Sequence, residues 1–136
     1  MDREPVIVLD THTLIWWADA GSKLSKKARQ AITVESRRQG LVASAISVFE
    51  IVTLERRGRL AFKVPAEEWL THLRVLPELK IHPVTDEIAA RAGALGEVFP
   101  GDPADRLIAA TALVLNAPLI THDTKLRDVP SLSTVW

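Results

Sequence analysis

The segment from Gly101 to Asn116 leaves this chain few ways to fold. Pro103 suits the first helical position, because the N–H it lacks is one that a helix start leaves unpaired, and Asp102 then becomes the N-cap. Asp105 falls one turn later on the same face as Asp102, and Ala109 and Ala112 continue that face. Past Arg106, only Thr111 and Asn116 interrupt an apolar surface. A helix that is apolar nearly all round has to be covered nearly all round. It therefore runs through the middle of the fold and delivers Asp105 to an interior cleft.

The rest of the chain supplies the cover. Residues 6–9 (Val-Ile-Val-Leu) are a short β-branched run suited to a strand buried on both faces. Further strands are expected at 41–43, 80–84 and 117–121, with a short fifth at 133–136. Pro83 lacks an N–H for the ladder and points to an edge position for the third. Helices are expected between them: 11–18 before Gly21, 25–39 capped by Ser25 and ended by Gly40, 44–57, 65–76, and one capped by Thr85 that ends near Gly96. Strand and helix alternate, which predicts an α/β three-layer sandwich around a central parallel sheet. At 136 residues the chain makes a single domain, 1–136.

Composition narrows the function. There are no cysteines, so disulfides, thiolate metal sites and a cysteine nucleophile are excluded. No apolar run approaches the roughly 18 residues of a membrane span and the first residues lack a signal-like apolar region, so a cytoplasmic protein with no membrane partner is expected. Seventeen basic residues balance 17 acidic ones, so net charge announces no nucleic-acid partner. Local basic patches remain: one helix and its lead-in carry Lys23, Lys26, Lys27, Arg29, Arg37 and Arg38 on the exposed side, and Arg56, Arg57 and Arg59 cluster around Gly58. Either is a solvated face or a surface for RNA phosphates.

The carboxylates are more informative. Asp10 directly follows the first strand, and Asp123 closely follows the fourth. Parallel strands all point one way, so both lie at the carboxyl edge of the sheet, where open α/β sheets bind ligands. Asp10 also reads as a simple N-cap. Glu50 sits among Val48, Phe49, Ile51 and Val52, with Ile46 and Leu54 one turn away on either side. A surface glutamate usually has polar neighbours at those positions, so Glu50 is expected to be partly buried, either at a site or paired with a nearby arginine. Asp10, Glu50, Asp105 and Asp123 can therefore converge, with Asp102 as a possible fifth member. Clustered carboxylates repel one another unless a cation intervenes, and an oxygen-only set suits Mg²⁺ or Mn²⁺ rather than Zn²⁺. No serine lies in a nucleophile-elbow context, so metal-activated water is the expected nucleophile and a phosphodiester the natural substrate. His12 and His122 flank the cleft as rim or packing residues.

Four blocks carry a family resemblance: Leu9–Trp17, Ser44–Ile51, Asp102–Ala112 and Leu119–Asp123. Together they resemble a PIN-domain ribonuclease of the VapC type, the toxin of a VapBC toxin–antitoxin pair. The resemblance implies a sheet of order 3-2-1-4-5 and Mg²⁺- or Mn²⁺-dependent endonucleolytic cleavage of RNA. Asp10, Glu50, Asp105 and Asp123 match the family's metal-binding carboxylates, and Thr11 and Thr121 match hydroxyls that orient them. A homodimer is also implied, as is inhibition by a cognate antitoxin protein. Ala104 stands where a bulkier residue is frequent, and His122 where arginine is common.

Other classes fit less well. A phosphate-signalling receiver module needs an acidic pair after the first strand and a lysine after the last, but Thr11 and His12 follow Asp10. A haloacid-dehalogenase-type phosphatase needs a second aspartate where His12 stands. A catalytically silent PIN scaffold has no need of the intact acidic set.

Overall fold

The computed structural model describes residues 6–20 and 23–136, so Gly21, the expected breaker after the first helix, lies outside it. Five strands form one sheet: β1 (Ile7–Leu9), β2 (Leu41–Ser44), β3 (Leu79–His82), β4 (Leu119–Ile120) and β5 (Thr134–Val135). Their order is β3-β2-β1-β4-β5, with every neighbouring pair parallel. β1 is central, and all three of its residues are buried, which accounts for a run of apolar residues without alternation.

The sheet presents two apolar faces. Ile7, Leu9, Leu41, Ala43 and Ile120 point to one side. There they meet Leu14 and Ile15 of α1 (Thr11–Ala18), Ile32 of α2 (Lys26–Ser36), Ile51 of α3 (Ala45–Arg56), and Leu70 and Leu73 of α4 (Ala66–Arg74). Val8, Val42 and Leu119 point to the other side. They pack against Ile108, Ala109 and Ala112 of α6 (Pro103–Leu115) and Leu126 of α7 (Thr124–Arg127). A further helix, α5 (Asp86–Ala94), covers the outside of α6, with Ile88 and Ala92 against Ala110. α6 is thus enclosed between sheet and helix, and residues 108–112 are all buried. Its apolar circumference follows from that position. Thr111 is accommodated by donating to its own turn at Leu107 O, 2.7 Å away. Asn116 ends the helix in the left-handed conformation (φ 53°), which asparagine tolerates better than most residues.

The expected α/β sandwich and strand order hold, and the boundaries shift for physical reasons. α2 stops at Ser36, three residues before the expected end. The chain turns there, with the Gly40 N–H donating to Glu35 O at 2.8 Å. Gly40 has φ +94°, and a Cβ would come within 3.0 Å of Glu78 O, so the turn needs glycine. β3 covers Leu79–His82 rather than 80–84, and Pro83 follows it immediately. α4 begins at Ala66, whose N–H is taken by Glu55 Oε2 at 2.9 Å because Pro65 offers no capping side chain. α7 was not expected at all. Among the described residues, no helix is long and apolar enough to cross a membrane.

Candidate active site

Parallel strands deliver their carboxyl ends to one edge, and the acidic residues gather there. Asp10 both caps α1 and faces the cleft. Its Oδ1 accepts the Thr13 N–H at 2.9 Å, and its Oδ2 accepts the Thr121 hydroxyl. Thr121, fully buried, in turn accepts the Asp123 N–H at 3.1 Å. One hydroxyl therefore ties the loop after β4 to the residue after β1. The Thr13 hydroxyl reinforces the same junction by donating to Ile120 O at 3.0 Å. Asp123 caps α7, accepting the Lys125 N–H at 2.9 Å.

Glu50 arrives from the middle of α3, where its exposure is intermediate. The buried Thr11 hydroxyl donates to its Oε1. Ser47, also buried and one turn earlier on α3, lies 2.9 Å from Thr11 Oγ1 and completes the relay by donating to it. Sequence reasoning missed Ser47 as a support. The available signal was a serine three residues before Glu50, on the same helical face. Asp105 arrives from the first turn of α6. Its backbone N–H is capped by Asp102 Oδ1 at 3.1 Å. The Arg106 guanidinium holds the loop leading into that turn, donating to Ala92 O at 3.1 Å, to Pro100 O at 3.2 Å and to Leu95 O. It is an anchor for the carbonyls of this loop.

Asp10, Thr11, Glu50, Asp105 and Asp123 line one cleft of about 540 Å³, with His12, Trp16 and His122 along a wall. A larger cavity of about 810 Å³, between α2, α7 and β5, mixes charges of both signs (Lys27, Glu35, Arg127, Asp128) and shows no such convergence. Asp102 is exposed, and it is not among the residues lining the cleft. Arg56, Arg57 and Arg59 are exposed at and beyond the end of α3, also outside the cleft lining. Two proton affinities record the crowding. Burial pushes the Asp105 carboxyl up to about 7, helped by the charges of Asp102, Asp123, Glu50 and Asp10. Burial also raises Glu50, against the pull of the Thr11 hydrogen bond; Asp102 and Asp10 push it further up, and His12 counters them. Among the described residues no three acidic or histidine side chains stand close enough together to hold a metal ion as they are placed.

The PIN-domain profile matches residues 7–132. The chain belongs to the PIN-domain family. Within that family it is 39% identical, over 132 residues, to Ribonuclease VapC22 of Mycobacterium tuberculosis; the match covers 96% of this chain and 98% of that one. Its fold is shared with solved VapBC structures. A chain in VapBC2 from Rickettsia felis bound to a promoter DNA fragment superposes with TM-score 0.69 at 18% identity, over 95% of this chain and 96% of that one. DNA-bound VapBC from Salmonella typhimurium gives 0.67 at 16% identity, over 96% and 97%. A toxin–antitoxin complex from Klebsiella pneumoniae gives 0.61 at 23%, over 91% and 92%. Identities this low speak for the fold, and the match to VapC22 makes this a VapC-type PIN chain. In this PIN chain the acidic cleft spans the ends of β1 and β4 and the helices α3 and α6, so its geometry depends on the whole fold.

Proposed function

We propose that the protein is a VapC-type endoribonuclease, the toxin of a toxin–antitoxin pair, which hydrolyses RNA phosphodiesters in the cleft between Asp10, Glu50, Asp105 and Asp123. The observation that carries this reading is the convergence of those four carboxylates in a chain so close to a ribonuclease over its length. The donor set fits a hard divalent ion. Four carboxylates line the cleft, with His12 and His122 beside them and no thiolate, and Asp105 is raised to about 7 by burial and by its acidic neighbours. Mg²⁺ or Mn²⁺ held by these four residues would neutralise phosphate charge and lower the pKa of water to give a nucleophile at neutral pH.

The chain's own residues supply position. The Thr121 and Thr11 hydroxyls fix Asp10 and Glu50, so each carboxylate keeps one orientation before any ligand arrives. Asp102 contributes charge to the site from its edge and sets the start of α6, which places Asp105. RNA hydrolysis should appear with Mg²⁺ or Mn²⁺ and vanish in excess chelator. Full cleavage in chelator, with contaminating nuclease removed, would sink the reading in favour of a silent scaffold.

A cognate antitoxin, a homodimer and a cytoplasmic location belong to the same reading. The solved neighbours are described as VapBC or toxin–antitoxin complexes, which supports the protein partner. Phe49 and Val52 on α3 are exposed apolar residues of the kind that a dimer covers. Light scattering of the isolated chain decides the oligomeric state.

Arg56, Arg57 and Arg59 are assigned to RNA phosphates beyond the cleft. Each phosphate contact removed should flatten the salt dependence of single-strand binding by about 0.7 in the log–log slope. Alanine at all three positions should therefore lower both affinity and slope. An unchanged slope would return the patch to a solvated face or to the antitoxin.

A further inference from the structure

Four rings cluster beside the acidic cleft, three of them (His12, Trp16 and His122) lining it and Trp136 packed against Trp16 and His122, and the fold explains how they meet. His12 and Trp16 are one turn apart on α1, with centroids 5.8 Å apart. β4 and β5 pair Leu119 with Thr134 and Ile120 with Val135, so the residues just past each strand end lie side by side. That register brings His122 and Trp136 to 5.2 Å. Trp16 joins the two pairs, 6.0 Å from His122 and 5.7 Å from Trp136. The Lys23 ammonium sits over one face of the Trp16 ring, 5.9 Å from its centroid.

The angles between the rings matter. They lie between 49° and 67°, so the rings meet tilted or edge-on. Phe62 and Trp69 behave differently, stacked at 4.5 Å and 19° with a face of each taken up by the other. In an edge-on pair the edge of one ring covers a face of the other, so each such contact takes up a face of one ring only, where a stacked pair takes up a face of both. Trp16 and Trp136 are half-buried and pack against the core, which holds them rigid, while His12 and His122 are exposed.

We propose that His12, Trp16 and His122, braced by Trp136, form a stacking wall for an unpaired nucleobase next to the scissile phosphate, and so set where the RNA is cut. This rests on RNA being the substrate. Unstacked bases of single-stranded RNA are commonly held against indole and imidazole rings, and every base has a face to offer. The wall lines the same cleft as Asp10, Glu50, Asp105 and Asp123. Whatever lies on it is therefore within a nucleotide's reach of a phosphate at the carboxylates, and Lys23 offers a cation for a flanking phosphate. Acidic side chains would repel the strand's phosphates; the wall gives the strand a foothold through its bases instead.

The test uses the full chain and a randomised single-stranded RNA pool with Mg²⁺ or Mn²⁺. Sequenced ends should show the parent preferring certain bases at one position beside the cut. Trp16→Leu and His122→Ala should flatten that preference and lower cutting at the preferred site by about 5- to 150-fold, the range for one stacked base. Trp16→Phe keeps a π-face and should keep the preference. An oligonucleotide with the base at that position removed should be cut alike by all these proteins, and thermal unfolding checks that each is folded. Unchanged preference and rate in folded variants overturns the proposal. So does unchanged RNA handling with lost antitoxin binding, which would make the wall a protein contact. Should the parent cut no RNA in either metal, the enzymatic reading fails by itself. Affinity for the pool in chelator then decides the wall, and equal binding by parent and Trp16→Leu overturns it.

Discussion

Asp105→Asn is expected to abolish RNA cleavage, while Asp102→Asn leaves a measurable part of it. The two residues share a helix start and differ in placement. Asp105 lines the cleft together with Asp10, Glu50 and Asp123, and no other carboxylate in the lining comes from α6. Asparagine keeps its shape but removes a charge from the set assigned to a divalent ion. Losing about 4 kcal/mol of charge stabilisation from such a site corresponds to roughly 10³-fold in rate. Asp102 works differently. Its Oδ1 caps the Asp105 N–H at 3.1 Å, and asparagine caps nearly as well. Its carboxylate lies outside the lining, so its loss should lower cleavage without ending it. Rates for parent and both variants at saturating Mg²⁺ and Mn²⁺ decide the ranking. Equal and total loss in both would show that Asp102 belongs to the ion's own ligand set.

Much of this site was legible because its members are set by local rules. Pro103 and Asp102 fix where α6 begins, and one helical turn later Asp105 can only face the same way. Glu50 betrays itself by apolar residues a turn before and a turn after, a pattern that partial burial satisfies. Asp10 looked like either a cap or a ligand-facing group; it is a cap to Thr13 with one oxygen and holds Thr121 with the other. What escaped the sequence depends on contacts between distant segments. α7 spans only Thr124–Arg127, too short to show any helical period. Ser47 inside α3 could equally pack in the core or support a site, and only the approach of Thr11 distinguishes them. Arg106 reads as a break in an apolar helix, yet its guanidinium is used on carbonyls of the loop before α6 and the end of α5. The aromatic wall needs the register of β4 against β5, which no residue of either strand announces.

Removing the metal should make Asp105→Asn more stable than the parent at neutral and higher pH. In the folded chain Asp105 is raised from the ordinary 3.8 to about 7, first by burial and then by its acidic neighbours. Between those two values the folded state holds more protons than the unfolded state. Stability of the metal-free parent therefore falls as pH rises from about 4 to about 7, and Glu50, raised for similar reasons, acts in the same direction. Asparagine resembles the protonated acid, so the variant should match the parent near pH 4 and exceed it at pH 8. The cleft is open to water on one side, so screening limits the gain to on the order of 1 kcal/mol, or a few degrees in Tm. If Asp105 were simply a first-turn residue of α6, the sign would be opposite, a loss of about 0.3–1 kcal/mol of helix-dipole stabilisation. Mg²⁺ should then invert the order, because a ligand stabilises the protein that binds it, by about 2.7 kcal/mol at 100 times its dissociation constant. The measurement is thermal unfolding of both proteins at pH 4 and pH 8, in chelator and in excess Mg²⁺. A variant less stable than the parent at pH 8 in chelator, with neither protein responding to Mg²⁺, would reduce Asp105 to a helix residue and leave the cleft without its ion.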